Sequence, residues 1–513
     1  MDLLIILYLI FYLILAKIRL DWAVMLILAT LPSYLIRFKV LGVPFTLLEA
    51  MILVSFFVWF VFHTEFRNFI RGKYSWRDFL ENRKKREAYP FGLEIILLLV
   101  ISFMAAAVAG FSDSALGIWK AYFFEPALVF ILILNVFVRK KDTNIRMNAN
   151  DTNGRYEYTN NANDANNTNA GSWEKVLWAL SVSALAVAGL AIYQKFTGVW
   201  IFNEFWAEAG NRRVTSFFGY PNAVGLYLGP LVLILIGWLV QQVKAIKKQV
   251  ISYKLLVILI IIILSGLSVY FAKSKGAILG VAAGLVIFFL LAVGKKIRWG
   301  MIFLILAAII GVSAYQPLRN FTLDKTIYSK SLQIREQQWK ETWEMLKDSR
   351  LISGAGLANY QKSIVPYHQE GIFLRDYNDP DWHRKTVFNA EYRAKVWQPL
   401  EIYLYPHNIF LNFWSELGLA GLLLFSWIVL KFFYIGVKML RQRVISYHRL
   451  SGTGKLLVIG LLSAMVVIVV HGLVDVPYFK NDLAVMFWAL VAMISAQCLT
   501  HNKRDETQKH ENT

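Results

Sequence analysis

Cysteine is almost absent from these 513 residues. Cys498 stands alone, inside the last apolar segment, which rules out an intrachain disulfide and leaves no set of thiols for a metal. Charge is scarce as well: 17% of residues are charged, against roughly 25% in an ordinary soluble domain, while 57% are hydrophobic and 15% aromatic. With a mean hydropathy of +0.47, the chain does not read as a soluble globular protein. Acidic residues are the scarcer sign, 34 against 54 Lys+Arg, for a net charge of +20. In a soluble chain that excess would suggest nucleic acid; in a membrane protein the positive-inside rule explains it first, so no nucleic-acid partner is expected. The opening MDLLIILYLIFYLILAKIRL also lacks a basic n-region and a small-residue cleavage site, and reads as a retained membrane segment.

What the sequence has in abundance is apolar runs. They lie at 2–16, 21–36, 44–63, 91–111, 119–138, 174–193, 221–240, 254–272, 276–293, 299–315, 406–437, 455–472 and 481–499. At about 20 residues per span, they predict an all-α polytopic integral membrane protein with 12 or 13 transmembrane helices. The first two runs are short and predict tilted or re-entrant segments, so the topology of residues 1–43 stays open.

Lys and Arg set the orientation. Eight fall in 64–90, then come Arg139-Lys140-Lys141, Lys244, Lys247, Lys248 and Lys254, then Lys295, Lys296 and Arg298, with five more in 438–455. Placing these on the cytoplasmic side is consistent with strict alternation from residue 91 onward. Segments 112–118, 194–220, 273–275, 473–480 and the long 316–405 then face outward. The chain divides into N-terminal spans (1–138), a disordered Asn-rich cytoplasmic linker (139–173), central spans (174–315), a long extracytoplasmic loop with short helices (316–405), C-terminal spans (406–499) and a cytoplasmic tail (500–513). Ten of the 30 residues in 142–171 are Asn. The sequons at Asn150 and Asn166 fall there and carry no weight on the cytoplasmic side.

The 316–405 loop holds 13 Lys+Arg and 11 Asp+Glu and so lacks the basic bias of the opposite side. Within it, 331–349 predicts a helix capped by Ser331, with Leu332, Trp339, Trp343 and Leu346 on one face along the membrane interface. Gly354 and Gly356 then break it, and the Tyr, Trp, Asp and Arg of 366–405 suit sugar recognition as well as interfacial anchoring.

Three outward clusters carry chemistry. Arg212 and Arg213, near Pro221-Asn222, sit where positive charge is disfavoured; a phosphate gripped by the guanidinium fork is one reason, an ion pair with Glu204 or Glu208 the bland one. Arg335 shares a helix face with Trp339, although Glu336, Glu341 and Glu344 make an ordinary mixed-charge surface the stronger reading of this residue taken alone. His407, beside Asn408 at a helix start, is expected in the first turn, where the helix dipole disfavours its protonated form and free N–H groups face an anion. Lys273 and Lys275 add cations at a short turn or simply snorkel. Glu49, Glu94 and Glu125, in or near spans, are expected to be functional or paired, and Asp475 and Lys480 near His471 have an ion-pair reading.

The order of motifs resembles the O-antigen ligase and polymerase superfamily: Arg-x-x-Ser-x-Phe-x-x-Pro-Asn at 213–222, Ser-Lys-Gly at 274–276, Arg-x-x-x-Trp at 335–339, Gly-x-Gly at 354–356 and His-Asn-x-x-Leu-x-x-x-x-Glu-x-Gly at 407–418. Weaker echoes occur at 46–49, at Glu125-Pro126 and at Asp475. The resemblance implies a membrane glycosyltransferase of the bacterial plasma (inner) membrane. It would be inverting and metal-independent, use no cofactor, and act on the extracytoplasmic side in cell-surface polysaccharide biosynthesis. The donor would be a glycan on polyprenyl (undecaprenyl) diphosphate and the acceptor a hydroxyl of a glycan, lipid or protein. Arg213, Arg335 and His407 take the catalytic positions; Arg212, Asn222, Lys275, Asn408 and Trp339 are the expected substrate-binding set, with no metal ligands. Where the superfamily's turn commonly has Ser-Arg, this chain has Ser274-Lys275, keeping the charge without the fork. A polymerase or protein O-oligosaccharyltransferase is the alternative within the superfamily. A transporter or flippase for an anionic or lipid-linked substrate is the alternative outside it, and a structural membrane partner a third.

Overall fold

The computed structural model describes residues 3–40, 42–63, 89–138, 162–245, 253–317, 329–441 and 454–511, with backbone alone for 162–173, 245 and 500–511. The basic stretches at 64–88, 139–141, 246–252 and 442–453 and the Asn-rich residues 142–161 lie outside the described residues.

The fold is an all-α polytopic membrane protein. Among the described residues, nine helices are long and apolar enough to cross a membrane, and four shorter apolar helices accompany them. Lipid offers no partners to backbone N–H and C=O groups, so each apolar run closes its hydrogen bonds within a helix. In chain order the helices are α1 (Leu3–Ile18), α2 (Leu20–Ala29), α3 (Leu47–His63), α4 (Gly92–Val108), α5 (Asp113–Phe137), α6 (Ala162–Thr197), α7 (Pro221–Ala245), α8 (Tyr253–Phe271), α9 (Lys275–Ala292), α10 (Lys295–Ala314), the polar α11 (Lys330–Met345), α12 (Ile409–Arg441), α13 (Lys455–Gly472) and α14 (Asn481–Glu511). Helix α6 begins inside the stretch read from composition as linker.

Run 21–36 does not form one segment. Pro32 opens a 3-10 turn at Leu31–Leu35, and the chain continues into an antiparallel hairpin of β1 (Arg37–Val40) and β2 (Val43–Thr46). Proline acts again in α5, where Pro126 offers no N–H to the carbonyl of Tyr122. That carbonyl accepts from the Tyr478 hydroxyl at 2.8 Å, tying α5 to the segment before α14.

Glycines set the centre of the bundle. Gly276, Gly280 and Gly284 recur every four residues on α9 and face α13, where an added Cβ would lie 2.7 Å from His471, 3.1 Å from the Val467 carbonyl and 2.8 Å from the Val467 side chain. On α7, Gly237 approaches Gly460 as closely. Small residues let membrane helices meet backbone to backbone, which fixes α7, α9 and α13 as a unit.

Three glutamates in this apolar setting are partnered. Glu49 pairs with Lys120 at 2.5 Å, Glu94 with Lys431 at 2.6 Å and with the Trp427 indole at 3.0 Å, and Glu125 accepts from Asn481 at 2.9 Å. Structural pairing therefore accounts for these three carboxylates.

Helix α12 is broken at Gly418, whose φ of +74° and ψ of −176° are outside helical space. The Gly354–Gly356 loop fills the break: Ala355 N–H donates to the Ser415 carbonyl (2.6 Å), Leu419 N–H to Ile352 (3.0 Å) and Leu357 N–H to Ala105 of α4 (3.1 Å). The Glu416 carboxylate accepts from the Ala358 N–H at 2.6 Å. Gly354, Gly356, Glu416 and Gly418, four positions of the sequence motifs, thus form one joint between α12 and the polar segment above it.

Helix α11 departs from the expected amphipathic pattern. It starts at Lys330, and its buried stripe is Gln333, Gln338, Glu341, Thr342 and Met345, while Trp343 is exposed and packs edge-on against Trp414. The polar stripe is buried because it hydrogen-bonds to the following loop. Gln333 exchanges two bonds with the Arg375 backbone (2.8 and 3.0 Å), Glu341 accepts from Gln369 N–H (3.2 Å) and meets His368, and Thr342 meets the Tyr360 hydroxyl (2.8 Å). A second strand pair, β3 (Gly371–Phe373) with β4 (Trp397–Pro399), closes that loop.

Candidate active site

Helix α11 sits over the start of α9 and the chain leading into α12. Between them lies a cavity of about 410 Å³ lined by Lys275, Ser329, Lys330, Ser331, Ile334, Arg335, Gln338, Tyr403 and His407. Its lining holds three cations and no carboxylate. A separate recess of about 440 Å³, lined by Glu344, Lys347, Asp348 and Tyr367, contains none of the candidate residues.

Arg335 projects from the second turn of α11. Its Nη1 donates to the Ser331 hydroxyl at 2.7 Å, so Ser331 braces this guanidinium instead of capping the helix. Its Nε is buried without a hydrogen-bond partner among the described residues. Burial lowers the Arg335 pKa, while Asp475 and Tyr403 oppose the shift.

His407 lies two residues before α12, not in its first turn. Asn408 occupies the capping position, with its side-chain oxygen accepting from Phe410 N–H (3.0 Å) and Leu411 N–H (3.1 Å) and its amide donating to the Leu473 carbonyl (3.1 Å). The short polar side chain of Asn competes better for those N–H groups, which displaces His407 outward. The His407 backbone is left-handed, φ +47°, a strained state for a non-glycine residue that costs roughly 1–3 kcal/mol and needs outside support. Two consecutive residues of α11 give it: Trp339 donates its indole N–H to the Pro406 carbonyl at 2.9 Å, and Gln338 Oε1 lies 3.2 Å from His407 Nδ1. Tyr403 and Tyr405 pack edge-on against the imidazole. Burial lowers the His407 pKa from 6.5; Asp475 opposes that shift and Arg335 adds to it.

Arg213 does not line the cavity. Its Nε donates to the Ala272 carbonyl (3.0 Å) and its Nη2 to Asn222 Oδ1 (3.2 Å), so it braces the turn that carries Lys275. Burial lowers its pKa, and the field of Arg335 lowers it further, which places the two guanidinium groups within each other's electrostatic reach. Asn222 in turn donates to Asp475 at 3.0 Å. Gly276 leaves room for His471, which is buried at 1% exposure beside this chain of polar groups.

The cationic cavity, the histidine at its wall and the joint at Gly418 coincide with a family match: residues 258–426 fit the model described as O-antigen ligase. That segment, about a third of the chain, is similar to the O-antigen ligase family. No curated protein matches the chain. The superfamily comprises membrane glycosyltransferases of the ligase and polymerase type, acting on lipid-linked glycans and acceptors.

Of the candidates, Lys275, Arg335, Trp339, His407 and Asn408 fall within the O-antigen ligase match, while Arg212, Arg213 and Asn222 precede it. The fold brings Lys275, Arg335 and His407 to one cavity and Arg213 and Asn222 against its supporting turn. Arg212 is elsewhere: it donates to the carbonyls of Lys195 (2.9 Å), Phe196 (3.2 Å) and Ala207 (3.0 Å), closing the end of α6 without the Glu204 or Glu208 ion pair. Trp339 and Asn408 spend their donors and acceptors on backbone, holding His407. Gln338, Lys330 and Tyr403 line the same cavity and had no motif to mark them; Gln338 is one turn from Arg335, the only local signal available. Tyr220 and Tyr405, hydroxyls 3.5 Å apart, lie nearby, and burial with Asp475 pushes the Tyr405 pKa up to about 12.

Proposed function

We propose that this protein transfers a glycan from polyprenyl (undecaprenyl) diphosphate to an acceptor hydroxyl at the extracytoplasmic face of the bacterial plasma membrane, with inversion and without a metal. The observation that carries the reading is the shared cavity: Arg335 and His407 on its wall, with Lys275 and Lys330 beside them and no carboxylate. Its volume falls within the roughly 300–1,000 Å³ of small-ligand sites, enough for a diphosphate and the first sugar.

Arg335, with its unpartnered Nε, and Lys275 hold the diphosphate, and Arg213 adds positive potential from behind the turn. As the anomeric C–O bond breaks, the electron pair goes to the diphosphate, and these cations stabilise the charge developing there. His407, kept neutral by burial and by Arg335, accepts the proton of the acceptor hydroxyl while the oxygen bonds to the anomeric carbon from the opposite side. The polyprenyl tail lies along the spans, and the 329–405 segment covers the sugars. The acceptor class, whether glycan, lipid or protein, separates a ligase from a polymerase or a protein O-oligosaccharyltransferase.

The test is transfer by purified protein reconstituted with a polyprenyl-diphosphate glycan and each acceptor class. Product with wild type and none with His407→Ala supports the reading; equal transfer by both, or none by wild type, overturns it.

A further inference from the structure

Residues 338 and 339 both grip the segment that carries the proposed base, but in different ways. Trp339 holds backbone, at Pro406; Gln338 holds the imidazole itself. Gln338 is 6% exposed, so little of its amide is open to water. A neutral imidazole has one N–H and one lone pair, and whichever nitrogen faces an acceptor keeps the proton. Gln338 Oε1 lies 3.2 Å from Nδ1, a contact that is a hydrogen bond when Nδ1 carries the proton and Nε2 the lone pair.

We propose that Gln338 is a positioning residue that selects the Nδ1–H tautomer of His407 and so presents Nε2 as the basic atom for the acceptor hydroxyl. The inference rests on reading His407 as the base. During transfer the hydroxyl proton moves to Nε2, the acceptor oxygen bonds to the anomeric carbon, and the diphosphate leaves with the electron pair of the broken C–O bond. The ring is then doubly protonated, still donating Nδ1–H to Gln338, and the Nε2 proton returns to solvent after the product departs.

The choice of an amide matters. A carboxylate at 338 would select the same tautomer but would also stabilise the imidazolium, raising the pKa of the base. The charges bearing on the ring are Asp475, which favours the imidazolium, and Arg335 from α11, which disfavours it; Lys275 from α9 and Lys330 line the same cavity, the Tyr403 and Tyr405 rings pack against the imidazole, and burial outweighs Asp475. An uncharged partner in that company keeps the ring neutral and ready. Because Arg335 is three residues earlier on α11, the same helix face supplies the diphosphate cation and the tautomer control.

Gln338→Glu and Gln338→Met separate these effects in the full-length protein reconstituted in nanodiscs with donor and acceptor. Two readouts are compared: the pH profile of kcat/KM, and the imidazole 15N signals of labelled protein, assigned by loss in His407→Ala. Gln338→Glu should move the acid limb up by about one pH unit with the Nδ1–H tautomer retained. Gln338→Met should mix the tautomers and lower kcat about tenfold to a hundredfold with donor KM little changed. An acid limb that stays in place in Gln338→Glu, or a wild-type rate with a pure Nδ1–H signal in Gln338→Met, overturns the proposal. His407→Ala separates the two levels: if it transfers like wild type the base assignment itself falls, whereas an inactive His407→Ala beside unperturbed Gln338 variants removes only the tautomer role.

Discussion

The indole N–H of Trp339 reaches the carbonyl of Pro406 at 2.9 Å, across 67 residues of sequence, and fixes the backbone one residue before His407. Phenylalanine at 339 keeps the ring and removes the bond, worth about 1 kcal/mol. Because a misplaced base slows chemistry more than it weakens binding, Trp339→Phe should lower kcat about tenfold and leave donor KM near wild type. Steady-state kinetics over a range of donor concentrations check this; a raised KM at constant kcat would instead make Trp339 a binding group.

Arg335→Ala should cost roughly 10²–10³-fold in kcat/KM, the scale of losing one preorganised charge donor. Arg335→Lys should recover part of that, since it restores the charge without the fork. Initial rates of glycan transfer measure both, and a lysine variant as slow as the alanine variant would indicate that geometry, not charge, dominates.

The pH dependence has a definite sign. Protonated His407 cannot accept a proton, and its pKa lies below 6.5 because of burial, reinforced by Arg335. Transfer should therefore persist as pH falls through 6.5 and decline only at lower pH. The His407 contribution to stability runs the same way: below about 6.5 the unfolded chain binds this proton before the folded one, so that contribution is lost as pH falls through that window and towards the folded-state pKa. His407→Gln should flatten the stability slope, which thermal melting at several pH values in detergent reads directly.

At Gly418 an added Cβ would lie 2.2 Å from the Ile352 carbonyl oxygen, and the φ of +74° is itself unfavourable for any other residue. Gly418→Ala should destabilise the fold by at least about 2 kcal/mol. Gly189 on α6 has open space around it and is the control, with Gly189→Ala neutral or slightly stabilising. Melting temperatures of the two variants decide; equal values would remove the joint at α12 as a source of stability.

The spans were legible because each is specified locally, by about 20 apolar residues in a row, and the described helices follow the predicted runs closely. Run 21–36 misled because hydropathy does not register the break that Pro32 imposes. The polar helix α11 misled differently: its aromatic residues suggested the buried face, but hydrogen bonds to Arg375, Gln369 and Tyr360 bury Gln333, Glu341 and Thr342 instead. Such bonds pair residues 18 to 42 positions apart, and no periodicity encodes them. The motifs marked Arg335, Lys275 and His407 one by one, while their convergence and the part of Gln338 depend on a contact spanning 69 positions. Arg212 shows the same limit, since two adjacent arginines look alike in sequence and only the fold sends one to the end of α6.

The floor and the roof of the cavity are fastened by different forces. Under Lys275, the glycine contacts of α9 with α13 are dry and close, and water has no way to replace them. Over it, apart from a small apolar cluster at Met345, Leu346, Tyr360 and Ile364, α11 is attached through amides, hydroxyls and an indole, groups that water can satisfy equally well. Mild heat or chaotrope should therefore lift the roof while the floor stays shut, so that loss of transfer precedes any loosening of the bundle.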